Sequence, residues 1–350
     1  MSKYGYYLGM TPEQQDIVKM IREFAERELD PVVKEYDEKG EFPVQLHEKW
    51  GEMGLFGLDV PEQYGGLGLN AVTRYCISEE LAKHDAGFTI SNNSYSFGLS
   101  AILADGTEAQ KQAACARILR GEGISMAITE PQSGSDVGST RTSAKKATRY
   151  VLNGVKCFIT NATLCSACVV LAVTNPDAGY HGMSLLLVEK SDAGVSVGKH
   201  EDKMGIRLSD TADFVMEDVF VPADRLIGTE GNGFAQTMKF PPARPVSVAG
   251  AVGVAQRALD LAVDYARERS FKHGPIAKLE GIQFLIADME MRIQASRAMA
   301  VYGAQMTDAG IPIGTLGNSL KCFASEMCYD VVNMGLQVFA GYCYSREYPL

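Results

Sequence analysis

A segment rich in hydroxyl groups and small residues is the first place in this sequence where a ligand could bind. Residues 126–138 (MAITEPQSGSDVG) begin with an apolar run that favours a β-strand and continue into a polar turn. Backbone N–H groups and short hydroxyl side chains in such a turn can hold a ring-shaped polar ligand or phosphate oxygens. The alternative is an ordinary strand-to-loop connection. Residues 158–161 (FITN) add an aromatic ring and a hydroxyl at the end of a second predicted strand.

Other residue types that carry chemistry are not arranged in self-sufficient motifs. The sequence has no G-x-G-x-x-G after a strand, no G-x-x-x-x-G-K-S/T, no H-E-x-x-H and no G-x-S-x-G. Its histidines lack ligand spacing, so we expect no histidine metal site; they are His47, His84, His181, His200 and His273. Cys165 and Cys168 form one C-x-x-C, and a zinc ribbon needs a second pair. We therefore expect structural thiols rather than a metal or redox centre.

Composition excludes several classes of protein. The 350 residues include 33 basic and 43 acidic side chains, a formal net charge of −10, and 46% of them are hydrophobic. This is ordinary for a globular protein, and the acidic balance argues against a nucleic-acid binder. No apolar run approaches the ~18 residues of a membrane span. The first residues (MSKYGYYLGM) show no export or transit signal, so we expect a cytoplasmic protein whose eight cysteines are reduced.

The elements that would position these residues follow the order α, β, α. Thr11, Pro12 and Gln14 predict a helix start with a capping box. Asn153-Gly154 predicts a hairpin turn between two strands. Further strands are expected at 168–173, 183–189 and 213–220, and long helices at 246–269, 282–309 and 316–339. We predict an N-terminal α-helical domain (1–125), a middle β-sheet or barrel domain (126–235) and a C-terminal helical bundle (236–350). The absence of βαβ alternation disfavours a Rossmann domain.

Together these segments closely resemble the acyl-CoA dehydrogenase family, short/medium-chain type. The matching residues run collinearly over nearly the whole chain: Ala127-Ile128-Thr129-Glu130, Ser133-Gly134-Ser135-Asp136, Leu152-Asn153-Gly154-Val155-Lys156, Phe158-Ile159-Thr160-Asn161, Lys203-Met204-Gly205-Ile206-Arg207, Glu217-Asp218-Val219, Gly231-Asn232-Gly233-Phe234, Arg244, Glu268-Arg269, Gln337 and Glu347-Tyr348-Pro349. The family's fold is a helical domain, a β domain and a C-terminal four-helix bundle, in agreement with the predicted elements.

The resemblance implies non-covalently bound FAD. Ile128, Thr129 and Ser135 would line the flavin and the thioester arm of the substrate. The second segment, with Phe158, Ile159 and Thr160, would pack on and bond to the isoalloxazine; many relatives have Trp at the Phe158 position. On the nucleotide side, Arg269 would meet the pyrophosphate, Gln337 and Gly341 would approach the FAD of a neighbouring subunit, and Arg244 would face the acyl-CoA channel together with Ser135.

The implied reaction is α,β-dehydrogenation of an acyl-CoA thioester, with electrons passed to an electron-transferring flavoprotein. A carboxylate takes the proton next to the carbonyl while the β hydrogen leaves as hydride to the flavin. The resemblance also implies a homotetramer built as a dimer of dimers. Two alternatives remain open: a non-catalytic acyl-CoA- or flavin-binding protein, and an enoyl-CoA reductase or acyl-CoA oxidase. Chain length and branching of the acyl group are not determined.

Several positions depart from the family pattern. The family's base lies either next to the position of Arg244, where this chain has Ala243, or downstream of the Glu-Tyr-Pro motif, beyond Leu350. No catalytic residue is therefore assigned. We expect this chain to be C-terminally truncated, with weak or no dehydrogenase activity. Other departures cluster around the nucleotide and bear on FAD occupancy: Lys272, Glu280, Ala340 and Cys343. Pro241 stands where the family usually has an aspartate of the acyl-CoA channel.

Overall fold

The computed structural model describes residues 10–146, 148–239 and 244–348, without the side chains of Lys146 and Arg244. Its α-helices are α1 (Pro12–Phe24), α2 (Asp30–Lys39), α3 (Val44–Glu52), α4 (Ala71–Ala82), α5 (Ala86–Ser94), α6 (Phe97–Asp105), α7 (Glu108–Leu119), α8 (Gly233–Thr237), α9 (Arg244–Glu268), α10 (Glu280–Asp308) and α11 (Gly314–Phe339). Its strands are β1 (Ile124–Ala127), β2 (Ser143–Lys146), β3 (Tyr150–Thr160), β4 (Ala167–Val173), β5 (Met183–Glu189), β6 (Val195–His200), β7 (Thr211–Val221), β8 (Leu226–Ile227), β9 (Ser270–Phe271) and β10 (Gly274–Pro275). The predicted α, β, α order is confirmed.

Local capping fixes the start of α1 as the sequence predicts. The Thr11 hydroxyl accepts the N–H of Gln14 at 3.3 Å, and the Gln14 side chain accepts the N–H of Thr11 at 3.0 Å. Each side chain thus satisfies a backbone donor that the first helical turn leaves without a partner. The helix continues through a π-helical segment, Ala25–Leu29.

The chain divides into two compact units. The helical unit comprises residues 1–34, 70–89 and 241–350, and the sheet unit comprises residues 35–69 and 90–240. Each unit is built from non-contiguous segments. The predicted domain boundaries at residues 125 and 235 stay a prediction.

Helix α4 and the three long helices α9, α10 and α11 pack together in the helical unit. Helix α9 packs against α4, α10 and α11, and its buried residues Val252 and Ala255 meet Met289, Met327 and other apolar side chains. Gly253 lets α9 approach α4 closely, because a Cβ there would lie 2.4 Å from the carbonyl oxygen of Glu79.

Within α9, residues 245–268 are long and apolar enough to match a membrane span by composition. Half of this apolar stretch is buried, and one such helix is weak evidence for a span. Its packing against three other helices accounts for the apolar composition equally well.

The sheet unit is built on eight strands in the order β6-β7-β3-β2-β4-β5-β8, with β1 added parallel to β4. Strand β4 is covered on both faces. Cys168, Val170 and Ala172 join one apolar core with β3 and β7, while Val169 and Leu171 join a second core with α6 and α7. Burial on both faces explains why β4 has a continuous apolar sequence rather than an alternating one.

The predicted hairpin turn at Asn153-Gly154 is wrong. Both residues lie inside β3, which runs unbroken from Tyr150 to Thr160 and pairs with β2 and β7. Gly154 is needed there for space, because a Cβ would lie 2.5 Å from Oγ1 of Thr142. Asn153 pairs across the sheet instead, and its side chain exchanges two hydrogen bonds of 2.9 Å with Asp218. A dipeptide that often forms turns here occupies a strand irregularity.

Candidate functional site

The first candidate segment leaves β1 and closes into a turn held by its own hydrogen bonds. Glu130 and Ser133 exchange two backbone hydrogen bonds of 3.0 Å, and the Ser133 hydroxyl donates to the carbonyl of Asp136 at 2.7 Å. Ile128 and Thr129 are half-buried before the turn, whereas Ser135 is exposed at its tip. The backbone is thus fixed while the polar tip remains accessible.

The second candidate segment lies on a β-bulge of β3. Lys156 pairs with Phe214 and Ile159 with Ala212, so two residues of β3 face a single residue of β7. Phe158 sits in this bulge with a φ of 57°, and 62% of its surface is exposed. A large apolar side chain rarely adopts positive φ, and such backbone strain costs roughly 1–3 kcal/mol. The bulge therefore exposes an aromatic ring, and the backbone strain lowers the stability of the folded protein.

Hydrogen bonds bring the two segments together. The N–H of Cys157 donates to the carbonyl of Thr129 at 2.9 Å. The hydroxyl of Ser125, on β1, donates to the carbonyl of Thr160 at 2.9 Å. Ile128, Thr129, Phe158 and Thr160 are consequently held in one place. Ile159 is different, because its side chain is buried in the sheet core and only its backbone could face a ligand.

A buried charge pair that sequence reasoning did not single out lies between these segments. Nζ of Lys156 is 2.7 Å from Oε1 of Glu130 and donates to the carbonyl of Ile128 at 3.0 Å. Burial would raise the pKa of the Glu130 carboxyl, but the Lys156 charge and several hydrogen bonds lower it to about 2. Burial lowers the pKa of Lys156 to about 8, against the opposing charge of Glu130. The alternation of side chains along β3 could have indicated that Lys156 is buried. Tyr150 and Leu152 point inward, and Lys156, an even number of residues further on, lies on the same face.

The remaining predicted residues lie in the helical unit. Arg269 follows the last residue of α9 and is exposed, with its guanidinium 5.7 Å from the centre of the Tyr342 ring. Gln337 is exposed in the last turn of α11, and Gly341 is exposed just after it. Arg269 is therefore brought near the loop that contains Gly341. The side chain of Arg244 lies outside the described residues, as do Pro241, Ala243 and Leu350.

The departures from the family pattern lie on the same surface elements. Lys272 is exposed in the turn of the β9–β10 hairpin, and Glu280 is the exposed first residue of α10. Ala340 has φ 50° and ψ −128°, a backbone conformation that normally requires glycine. Cys343 is half-buried in the loop after α11. In the sequence, these positions lie close to Arg269 or Gly341. The positive φ of Ala340 indicates backbone strain beside Gly341.

No competing metal or disulfide chemistry is built into the described parts of the chain. Within residues 10–146, 148–239 and 244–348 no group of three or more His, Cys, Asp or Glu could hold a metal ion. Cys165 and Cys168 are free and buried, with their sulfur atoms 3.6 Å apart. Burial raises the pKa of the Cys168 thiol well above its ordinary value, which disfavours thiolate chemistry there.

Comparison with known proteins matches the chain along nearly its whole length. Three family models match: "Acyl-CoA dehydrogenase, N-terminal domain" at residues 11–122, "Acyl-CoA dehydrogenase, middle domain" at 125–219 and "Acyl-CoA dehydrogenase, C-terminal domain" at 230–350. A curated relative, acryloyl-CoA reductase (NADH) of Anaerotignum propionicum, is 39% identical over 98% of this chain and 88% of its own.

Solved structures agree with the family models. The butyryl-CoA dehydrogenase of Megasphaera elsdenii superimposes with a TM-score of 0.94 at 35% identity, over 98% of this chain and 92% of that one. A chain from a structure described as the electron transferring flavoprotein of Acidaminococcus fermentans gives 0.94 at 38% identity, over 98% and 91%.

Proposed function

Because the chain belongs to the acyl-CoA dehydrogenase family, we propose that it is an FAD-dependent enzyme that oxidises an acyl-CoA thioester to the 2-enoyl thioester. The observation that carries this proposal is Phe158, whose ring is exposed on a strained bulge beside Thr129. An exposed aromatic face next to ordered backbone groups fits a planar aromatic ligand such as the flavin ring. Strain at a functional position is expected where ligand binding requires that geometry.

The residues present fit the cofactor in two groups. Ile128, Thr129, Phe158 and Thr160, with the backbone of Ile159, would hold the flavin ring, because the sheet unit fixes them together. Arg269 would bind the pyrophosphate, since a guanidinium offers several donors to phosphate oxygens and its side chain is exposed. Gln337 and Gly341 would approach the FAD of a neighbouring copy of the chain.

When bound, FAD supplies the hydride acceptor. The protein's part is to bind the thioester, orient it and exclude water. Ser135 at the exposed turn and Arg244 at the start of α9 would contact acyl-CoA. The general base is not assigned: Glu347 is exposed and belongs to the Glu-Tyr-Pro motif that relatives carry besides their base. We propose short acyl chains, because the butyryl-CoA enzyme is among the similar structures.

A second direction of the reaction is also supported. The acryloyl-CoA reductase (NADH) relative reduces an enoyl thioester by its name, and it matches nearly the whole chain. We propose an electron-transferring flavoprotein as the partner in either direction, because a chain from such a structure is among those that superimpose. The net direction would then depend on the reduction potential of that partner relative to the enoyl/acyl thioester couple, because the flavin would be regenerated in each turnover.

We also propose self-association into a tetramer in the cytoplasm. Large apolar side chains are exposed on the long helices of the helical unit: Phe284, Met291, Tyr302, Phe323 and Tyr329. Where such side chains form a contiguous patch, they mark an interaction surface. The mass of the particle in solution, measured by light scattering, tests this directly, and a monomer would contradict it.

Purified protein with its visible spectrum tests the function. We expect flavin absorption bands and one FAD per chain after incubation with excess FAD. Anaerobic addition of butyryl-CoA should bleach the visible band if the protein dehydrogenates. In the reductase direction, crotonyl-CoA should instead reoxidise the reduced flavin. A protein that takes up no FAD would contradict the proposed function. FAD uptake without a spectral response to either thioester would fit the non-catalytic alternative and also the expected weak activity of a chain in which no base is assigned.

A further inference from the structure

Lys156 and Glu130 form a buried charge pair in the sheet unit, here called the Lys156–Glu130 pair. The Lys156 side chain is 0% exposed and the Glu130 side chain 3%. The carboxylate of Glu130 also accepts the backbone N–H groups of Arg141 at 2.8 Å and Thr142 at 3.0 Å. It further accepts a hydrogen bond from the side chain of Gln132. The carboxylate is therefore well satisfied, in contrast to an isolated buried charge.

Stability alone does not explain why a lysine occupies this position. Removing an ammonium and a carboxylate from water is costly, and well-packed apolar residues of similar volume often stabilise a core as well or better. The neighbouring inward positions on β3, Tyr150 and Leu152, show that this strand can fill the core with apolar or aromatic side chains. A charged pair here offers directional bonds to particular backbone groups, which an apolar pair cannot offer.

Those directional bonds connect the two candidate segments, the one that follows β1 and the one on the bulge of β3, which are called the ligand-facing segments below. Lys156 lies two positions before Phe158, and its ammonium holds the carbonyl of Ile128, the residue before Thr129. Next to it, the N–H of Cys157 holds the carbonyl of Thr129. Glu130 then anchors the start of the polar turn to the backbone of Arg141 and Thr142. The pair thus fixes the distance between the bulge of β3 and the segment after β1.

We propose that Lys156 and Glu130 are positioning residues of the flavin site, which act by holding Thr129 and Phe158 in their relative positions. This inference rests on the proposed function, because it concerns the binding of FAD. Neither side chain is placed in contact with the cofactor. Removing a residue that orients a ligand-binding group lowers binding or activity by about 10- to 100-fold at metal sites, and we expect an effect of the same order here.

The test compares FAD binding by variants of the flavin-free protein. Lys156→Met removes the ammonium and keeps a similar volume. Arg225→Met is the matched control, because Arg225 forms an ion pair with Asp192 at 2.7 Å in the same unit, remote in sequence from both ligand-facing segments. The readouts are the FAD dissociation constant, the visible circular dichroism of the FAD-saturated protein, and the melting temperature without FAD. We expect Lys156→Met to raise the dissociation constant about 10- to 100-fold and to change the dichroism. Arg225→Met should change neither.

A double variant separates positioning from packing. Lys156→Met combined with Glu130→Gln removes both charges, while the amide oxygen can still accept the N–H group of Arg141 or Thr142, so the melting temperature should recover relative to Lys156→Met. Weak FAD binding and altered dichroism in the stable double variant would support the proposal. Parent-like binding and dichroism in either variant would overturn it, because the pair would then serve the core alone. If Lys156→Met does not fold, the double variant and Glu130→Gln carry the same readouts. Failure of the parent protein to bind FAD would instead contradict the proposed function.

Discussion

The N–H of Cys157, in β3, donates to the carbonyl of Thr129, two residues beyond the end of β1, at 2.9 Å, although β1 and β3 are not paired strands. This hydrogen bond, together with those of Lys156 to Ile128 and Glu130, joins the segment after β1 to the bulge of β3. It places Phe158, the residue after Cys157, beside the hydroxyl-rich segment. The candidate flavin site of the sheet unit depends on this contact and on the adjacent buried charge pair.

The ring of Phe158 should contribute to FAD binding and not to folding. Phe158→Gly removes the exposed ring and relieves the positive φ, so it should stabilise the flavin-free protein by up to about 1 kcal/mol. Phe158→Ala removes the ring but keeps the strain, so its melting temperature should match that of the parent. Both variants should bind FAD more weakly, as measured by titration with fluorescence detection. Equal FAD affinity in all three proteins would place the flavin elsewhere.

Arg269 should bind a phosphate group of FAD. Arg269→Ala removes a charge-assisted contact worth roughly 1.5–3 kcal/mol, which corresponds to about a 10- to 150-fold higher FAD dissociation constant. Arg267→Ala is the matched control, because Arg267 is also exposed at the end of α9. The same dissociation constant for both variants would show that Arg269 does not reach phosphate.

Ala340 should be a strained position that glycine relieves. Its φ of 50° is disfavoured for alanine, so Ala340→Gly should raise the free energy of unfolding by roughly 1 kcal/mol. Ala309 caps α10 with an ordinary φ of −81°, and Ala309→Gly should leave stability unchanged or lower it. Denaturant unfolding of the two variants measures the difference. A lower free energy of unfolding for Ala340→Gly than for the parent would show that Ala340 is not strained.

Arg297 should be essential to the core of the helical unit. Its guanidinium lies 2.7 Å from Glu79 and donates to the side chain of Gln256 at 2.8 Å, and both members of the ion pair are buried. Arg297→Met leaves a buried carboxylate unpaired and should cost about 3–5 kcal/mol. On the same helix, Arg292 pairs with Asp330 near the surface, so Arg292→Met should cost no more than about 1 kcal/mol. Similar losses in urea unfolding would argue against this distinction.

His47 should make stability depend on pH. Burial lowers its pKa from 6.5 to about 4, although a hydrogen bond with Asn92 opposes the shift. Between these values the unfolded chain binds more protons than the folded one, so stability rises with pH across this window. Acidification from pH 6.5 to 4 should therefore remove up to about 3 kcal/mol of stability through this residue.

Unfolding curves at several pH values test that dependence. The variant His47→Gln should show a shallower loss of stability over the window, whereas His181→Gln, at an exposed turn, should keep the parent's slope. Identical slopes in all three proteins would mean that His47 is protonated without penalty in the folded state.

The sequence by itself determined the elements whose signals are local. The capping box of Thr11 and Gln14 involves residues three positions apart, and the long helices α9, α10 and α11 follow the predicted ranges closely. The segments at 127–130 and 133–136 and the FITN segment also indicated the family, because their order along the chain is enough for a resemblance. None of these inferences required knowledge of which strands are neighbours.

Only the tertiary structure decided how the site is assembled. Asn153-Gly154 has the local properties of a turn, yet β2 and β7 pair on either side of it and keep it within a strand. Likewise, nothing near Lys156 in the sequence indicates that its partner is Glu130, or that Phe158 lies on a bulge. These features depend on pairing between segments distant in the chain, whose hydrogen bonds and burial outweigh the preferences of a dipeptide. Local preferences are small energies, whereas the burial of charges and strand pairing are set by the whole sheet.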